Sequence, residues 1–223
     1  MRTLTKHSKA FTMIELVFVI VVLGILAALA LPRMERDIRQ EAADNILSAI
    51  RYTQHLALND DKTNPFDPVW QKTLWHIRFS LDGAGRYFYT VASNMDHGTN
   101  VDQNETAIDP ANGKYLYNEA GTAVIDPDES PNIFIGKLYG IDSVDFSNCQ
   151  TIANNVTNAS THIAFDQLGR PHKGVFGVAT NDYRTVTKAD CTITFGFQDG
   201  SDPLSIGIIK ETGHAYIVGQ DTL

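Results

Sequence analysis

Residues 11–31, FTMIELVFVIVVLGILAALAL, form an apolar run interrupted by a single charge, Glu15. As a helix this run would be about 31 Å long, enough to cross a bilayer core. Arg2, Lys6 and Lys9 precede it with no acid among the first ten residues. By the positive-inside rule that end stays in the cytoplasm and the remainder of the chain lies across the membrane. A secretory signal peptide cut at Ala28-Leu29-Ala30 would have a shorter apolar core and no carboxylate. A plain signal anchor explains length and orientation and leaves Glu15 unexplained, because a carboxylate inside a spanning segment is costly and needs a partner. No Lys, Arg or His lies within the run, so the partner must come from outside it.

The stretch Lys9-Ala10-Phe11-Thr12-Met13-Ile14-Glu15-Leu16 resembles the prepilin leader junction of type IV pilins and type II secretion pseudopilins, and the likeness continues through Gly24 to Pro32. The resemblance implies cleavage between Ala10 and Phe11 by a prepilin peptidase/methyltransferase and N-methylation of Phe11. It also implies a filament-assembly role for Glu15, the fifth residue of the mature chain. Ala10 replaces the family's commoner glycine and is still small. Partners implied are other pilins or pseudopilins and an inner-membrane assembly platform. The location implied is single-pass in a bacterial inner membrane, with the N-terminus cytoplasmic and the head periplasmic.

Pro32 lacks an N–H and should bend the helix rather than end it. Beyond it, Met34, Ile38, Ala42, Ile46, Ala49, Ile50, Thr53, Leu56 and Ala57 recur at steps of three and four, with charges between them, until Asn59-Asp60-Asp61 closes the pattern. From residue 70 the period changes to two. Residues 74–92 read as a hairpin turning at Asp82-Gly83-Ala84-Gly85, in which Trp75, Ile77 and Phe79 alternate with His76 and Arg78. Residues 93–132 read as a surface excursion with a small hairpin around 118–121. Further strands are predicted at 133–138, 144–146, 162–165, 175–179, 191–197, 204–209 and 215–218. The expected architecture is α+β, a long N-terminal helix on an antiparallel β-rich head, the pilin-like fold. Its parts are a leader (1–10), a transmembrane helix (11–31), an amphipathic continuation (32–60) and a periplasmic head (61–223).

Residues 163–171, IAFDQLGRP, and 206–213, IGIIKETG, are similar to a turn and a C-terminal strand of the H-type minor pseudopilins and their FimT-like relatives. This likeness implies a minor pseudopilin serving a type II secretion pseudopilus or a type IV pilus-like filament. Other readings are a pilin for DNA uptake or adhesion and a signal-anchored periplasmic enzyme. A net charge of -8 argues against nucleic acid, and Lys173, Arg184 and Lys188 are the only basic cluster near the C-terminus. Against an enzyme, the chain has no G-x-S-x-G, H-E-x-x-H, P-loop or G-x-G-x-x-G. No cofactor is expected beyond calcium, for which Asp126, Asp128 and Glu129 offer oxygen ligands without an EF-hand's order or glycine. His162 and His172 flank one turn without metal-ligand spacing, and Asp102 to Thr106 matches an acidic glycosylation sequon as chance would allow in an Asn-rich loop. Cys149 and Cys191 are too far apart for a CxxC pair; in an oxidising compartment they suggest one disulfide, the alternative being two buried thiols.

Overall fold

The computed structural model describes residues 12–98, 100–152, 161–177 and 182–220, with the backbone alone for residues 28–37. Helix α1 runs over Met13–Asn59. The chain divides into two compact units, one ending at Gln40 and the other running from Glu41, and α1 contributes to both. Every described side chain in residues 12–27 is exposed. Among the described residues no helix is long and apolar enough to cross a membrane. The described side chains of the apolar run stop at Ala27, and Pro32 falls among the residues known by backbone alone.

In the second unit, residues 41–59 of α1 lay their stripe on the head. Ala42, Ala43, Ile46, Ala49, Ile50 and Ala57 are buried, and the small alanines let the helix approach closely. Each buried isoleucine contributes about 1.5–3 kcal/mol. Thr53 is also buried, and its hydroxyl donates to the Ala49 carbonyl one turn back. The helix ends where Asn59 Nδ2 donates to the His55 carbonyl and Asp60 accepts from Trp75 Nε1.

Among the described residues, eight strands form two antiparallel sheets. β1 (Trp75–Leu81), β2 (Tyr87–Ala92), β4 (His162–Phe165) and β5 (Pro171–His172) lie in the order β2-β1-β4-β5. β3 (Ile141–Asp145), β6 (Cys191–Phe197), β7 (Leu204–Ile208) and β8 (Ala215–Ile217) lie in the order β3-β6-β7-β8. Their inner faces share one core, where the Phe79 ring meets Phe195 edge-on at 5.3 Å between centroids.

The β1–β2 and β4–β5 turns are built alike. Asp82 Oδ1 accepts from the amides of Ala84 and Arg86, and its Oδ2 from Arg86 Nε. Asp166 does the same with Leu168, Arg170 and Arg170 Nε. Each turn closes through a glycine at positive φ, Gly85 at 74° and Gly169 at 78°. The second turn is also clipped to the helix, since Gln54 Nε2 donates to Gly169 O at 3.1 Å and to Thr212 O at 2.6 Å. The two stretches singled out near the C-terminus therefore meet at one α1 side chain. Gly213 is required there, because an added Cβ would lie 1.9 Å from Gly169 O.

Several expectations need correction. Residues 133–138 are not a strand: Pro131–Ile133 forms a 3-10 turn capped by Ser130, followed by helix α2 (Ile135–Tyr139). Ile133, Phe134 and Ile135 are consecutive and all buried, a run whose period cannot separate strand from helix. Val175–Gly177 is likewise a 3-10 turn, and residues 178 and 179 lie outside the described ones. The 93–132 segment is not a surface excursion. Ala107 and Leu116 enter the core, and the buried Asp109 carboxylate accepts from Ala111 N, Asn112, Ser130 and Asn132. No hairpin forms at 118–121; that stretch instead docks on the first turn, with Gly121 N donating to Leu81 O and Thr122 O accepting from Gly83 N. The small hairpin-like bridge lies earlier, at Ile108 and Tyr115.

Candidate functional site

Two regions hold the residues that chemistry could use. The first is the start of α1. Thr12 N and Thr12 Oγ1 both donate to Glu15 Oε2, at 2.8 and 2.7 Å, and Glu15 N donates back to Thr12 Oγ1 at 3.4 Å. This is a reciprocal capping box, which fixes the helix start and the carboxylate together. The Thr-x-x-Glu spacing was legible in the sequence and went unused there. Around Glu15, residues such as Met13, Ile14 and Phe18 are 86, 78 and 69 % exposed. A helix apolar on every side is stable only when lipid or neighbouring chains cover it. Glu15 is the one ionisable group in residues 12–27, and only its Oε2 is engaged. Such a site can accept a cationic donor from another chain. Ala10 and Phe11, where cleavage and methylation are expected, lie outside the described residues.

The second region is the outer face of the first sheet. His76, which alternates with the apolar positions of β1, is fully buried, because Trp70, Leu74, Val175 and Phe176 form a small second layer over β1 and β4. The His76 ring lies edge-on to Phe176 at 4.8 Å and 6.1 Å from that of His162. His162 Nε2 accepts from the Val175 amide at 3.2 Å. Burial depresses both imidazoles, His76 to about 4 and His162 well below its ordinary value.

A pH dependence follows. The unfolded imidazole of residue 76 protonates near 6.5 and the folded one near 4. Stability is therefore complete above about pH 6.5 and falls as the pH drops toward 4, by roughly 3 kcal/mol from His76 alone. Urea unfolding of the detergent-solubilised chain at pH 7.5 and pH 4.5 measures this, and equal midpoints would contradict it.

His172 does not join His162. It reaches Asp166 Oδ2 at 3.3 Å and the Thr185 hydroxyl at 2.7 Å. Burial alone would raise the Asp166 carboxyl, but hydrogen bonds and charge from His172 and Arg170 hold it at about 2. Acid, imidazole and hydroxyl stand in the order of a hydrolase triad, yet all three residues are fully buried and the Thr185 hydroxyl also donates to Gln71. The arrangement ties β5 to the following loop.

The other expected residues are occupied structurally. Cys149 and Cys191 form a disulfide with Cα atoms 4.4 Å apart, joining the loop after β3 to the first residue of β6. Glu129 accepts from Asn118 Nδ2 and the Asp126 amide, and Asp128 from Gln103 Nε2. Among the described residues no group of three His, Cys, Asp or Glu side chains converges as a metal site. Asp102 and Glu105 of the sequon-like stretch form a capping box around a 3-10 turn. Lys173 is buried with Nζ on the Phe146 carbonyl, and Arg184 pairs with Asp182, so these two do not extend a basic stripe.

The chain matches the Prokaryotic N-terminal methylation motif over residues 5–31. No curated protein matches the chain, and no solved structure does. The motif stops at the end of the apolar run, so the head is outside it. It supports a type IV pilin-like protein, a structural subunit rather than an enzyme, processed by a prepilin peptidase and assembled with other pilins.

Proposed function

We propose that this chain is a minor pseudopilin, a structural subunit of a type II secretion pseudopilus or a type IV pilus-like filament that aids filament assembly and protein secretion. The observation that carries the reading is an uncovered apolar helix with one carboxylate, Glu15, inside a methylation motif. Before assembly, residues 11–31 span the inner membrane, the head from residue 61 lies in the periplasm, and Pro32 bends the helix between them. Residues 1–10 are removed and Phe11 becomes a methylated N-terminus. In the filament, Glu15 meets the terminal amine of a neighbouring subunit. The turn at Asp166, and β7 with the turn through Gly213 that follows it, favour the H-type, FimT-like class of head.

Intact-mass measurement and N-terminal sequencing of the chain isolated from membranes test this. Phe11 should come first, carrying an N-methyl group. A chain beginning at Leu31 would establish a secretory signal peptide instead.

A further inference from the structure

The 3-10 turn Val175–Gly177 is fastened to the outer face of the first sheet by a hydrogen bond and by a ring. The bond runs from the Val175 amide to His162 Nε2, at 3.2 Å. A backbone N–H can only donate, so Nε2 is the bare acceptor and Nδ1 carries the hydrogen of the neutral imidazole. The ring is Phe176, its centroid 4.7 Å from that of His162 and 4.8 Å from that of His76. Trp70, Leu74, Ala164 and Val175 complete this layer, a small apolar cluster separate from the main core.

A proton taken up by His162 has one place to go. It binds Nε2, which then donates, and two N–H groups face each other where a hydrogen bond stood. At His76 the added proton also goes to Nε2, because Nδ1 already donates to the Leu74 carbonyl 3.1 Å away. A second charge then arises against the same Phe176 ring.

The charges acting on these two rings are all positive. Arg78 lies opposite His162 in the β1–β4 register and acts on both imidazoles, and Lys173 acts on His162. Lys72, in the 3-10 turn Trp70–Thr73 packed on the Val175 turn, directs its amine to the His97 carbonyl. Asp102 and Glu119 line a cavity with His76 and Arg78, and neither is among the charges acting on the two rings. An imidazolium formed here is therefore buried without a counter-charge, which favours any state that returns it to water.

We propose that the Val175–Gly177 turn is an acid-released latch: protonation of His162, and of His76 beneath the same ring, lifts the turn off the first sheet and uncovers Trp70 and Phe176 while the main core stays folded. In the open state each imidazole meets water and takes its proton near pH 6.5. Opening therefore grows as the pH falls below about 6.5, by up to tenfold per pH unit for each imidazole exposed.

Native-state hydrogen exchange by NMR on the full chain in detergent tests this, with each rate divided by that of an unstructured amide at the same pH. Between pH 7.5 and pH 5.5 the protection of the Val175 amide should fall about tenfold through His162, and up to about a hundredfold if His76 is exposed in the same opening. That opening should be insensitive to sub-denaturing urea. The amide of Ile193, a fully buried residue of an interior strand, exchanges through global unfolding and should respond to urea steeply. His162→Gln keeps an acceptor for the Val175 amide and cannot take a proton, so about tenfold of the pH dependence should vanish. Val175 protection that is level with pH, or that follows Ile193 in both pH and urea, would overturn the proposal. So would an unchanged pH dependence in folded His162→Gln, and the wild-type urea series decides by itself if that variant does not fold.

Discussion

Glu15→Ala should leave membrane insertion and removal of residues 1–10 intact, while incorporation into a filament falls about tenfold or more. Co-purification with, or cross-linking to, the major subunit from membranes measures it. The capping box makes a second substitution informative. Glutamine serves as well as glutamate at the third helical position, so Glu15→Gln keeps the bonds from Thr12 and removes only the charge. If pairing with a neighbour's cationic terminus is what Glu15 contributes, both variants fail alike. If Glu15→Gln assembles normally and Glu15→Ala does not, the residue acts by starting the helix. Normal assembly of both would refute the pairing role and point to a tip position, where no subunit lies ahead.

Removing the disulfide by the paired change Cys149→Ala and Cys191→Ala should lower the stability of the head by about 3–4 kcal/mol. The estimate follows from the loop-closure entropy of a separation of 42 residues. Both half-cystines are buried, so each alanine also leaves a small cavity rather than a solvent-filled notch. Urea unfolding with and without reductant measures the loss, and the reduced wild type should approach the paired variant. Thiol labelling of the denatured, unreduced protein should find no reactive groups. Two reactive thiols, or an unchanged midpoint in the variant, would contradict the expectation.

The parts of this molecule that were legible in sequence are those where one physical signal acts alone. The β6 strand alternates strictly, with Cys191, Ile193, Phe195 and Phe197 buried, and its limits were read correctly. The α1 stripe from Ala42 to Ala57 was equally plain, because a helix on a sheet buries one side only. Reading failed where a second layer covers a surface. His76 alternates with the apolar positions of β1, and it is buried because Trp70, in the turn just before the strand, and Phe176, a hundred residues further on, cover that face together. Residues 93–132 look like solvent-facing loop because they are rich in Asn and Asp. Those side chains satisfy one another instead, as around Asp109, and composition does not say where a polar group finds its partner. The capping box at Thr12 was missed for a different reason. Its bonds run between one side chain and the backbone at the helix start, and residue types in an apolar run do not show which oxygen of Glu15 such bonds occupy.

The matched turns at Asp82 and Asp166 bear on how the head is reached from the unfolded chain. Each carboxylate locks residues no more than four positions away, so both hairpins can close locally, on a scale of about 1–10 μs. The pairing of β1 with β4, which aligns Ile77 with Ile163, must wait for a long loop to close. Folding of the first sheet then becomes the docking of two hairpins, each only marginally stable by itself. Its slow step is the meeting of β1 and β4, and weakening either turn alone should delay that step by lowering the supply of one hairpin.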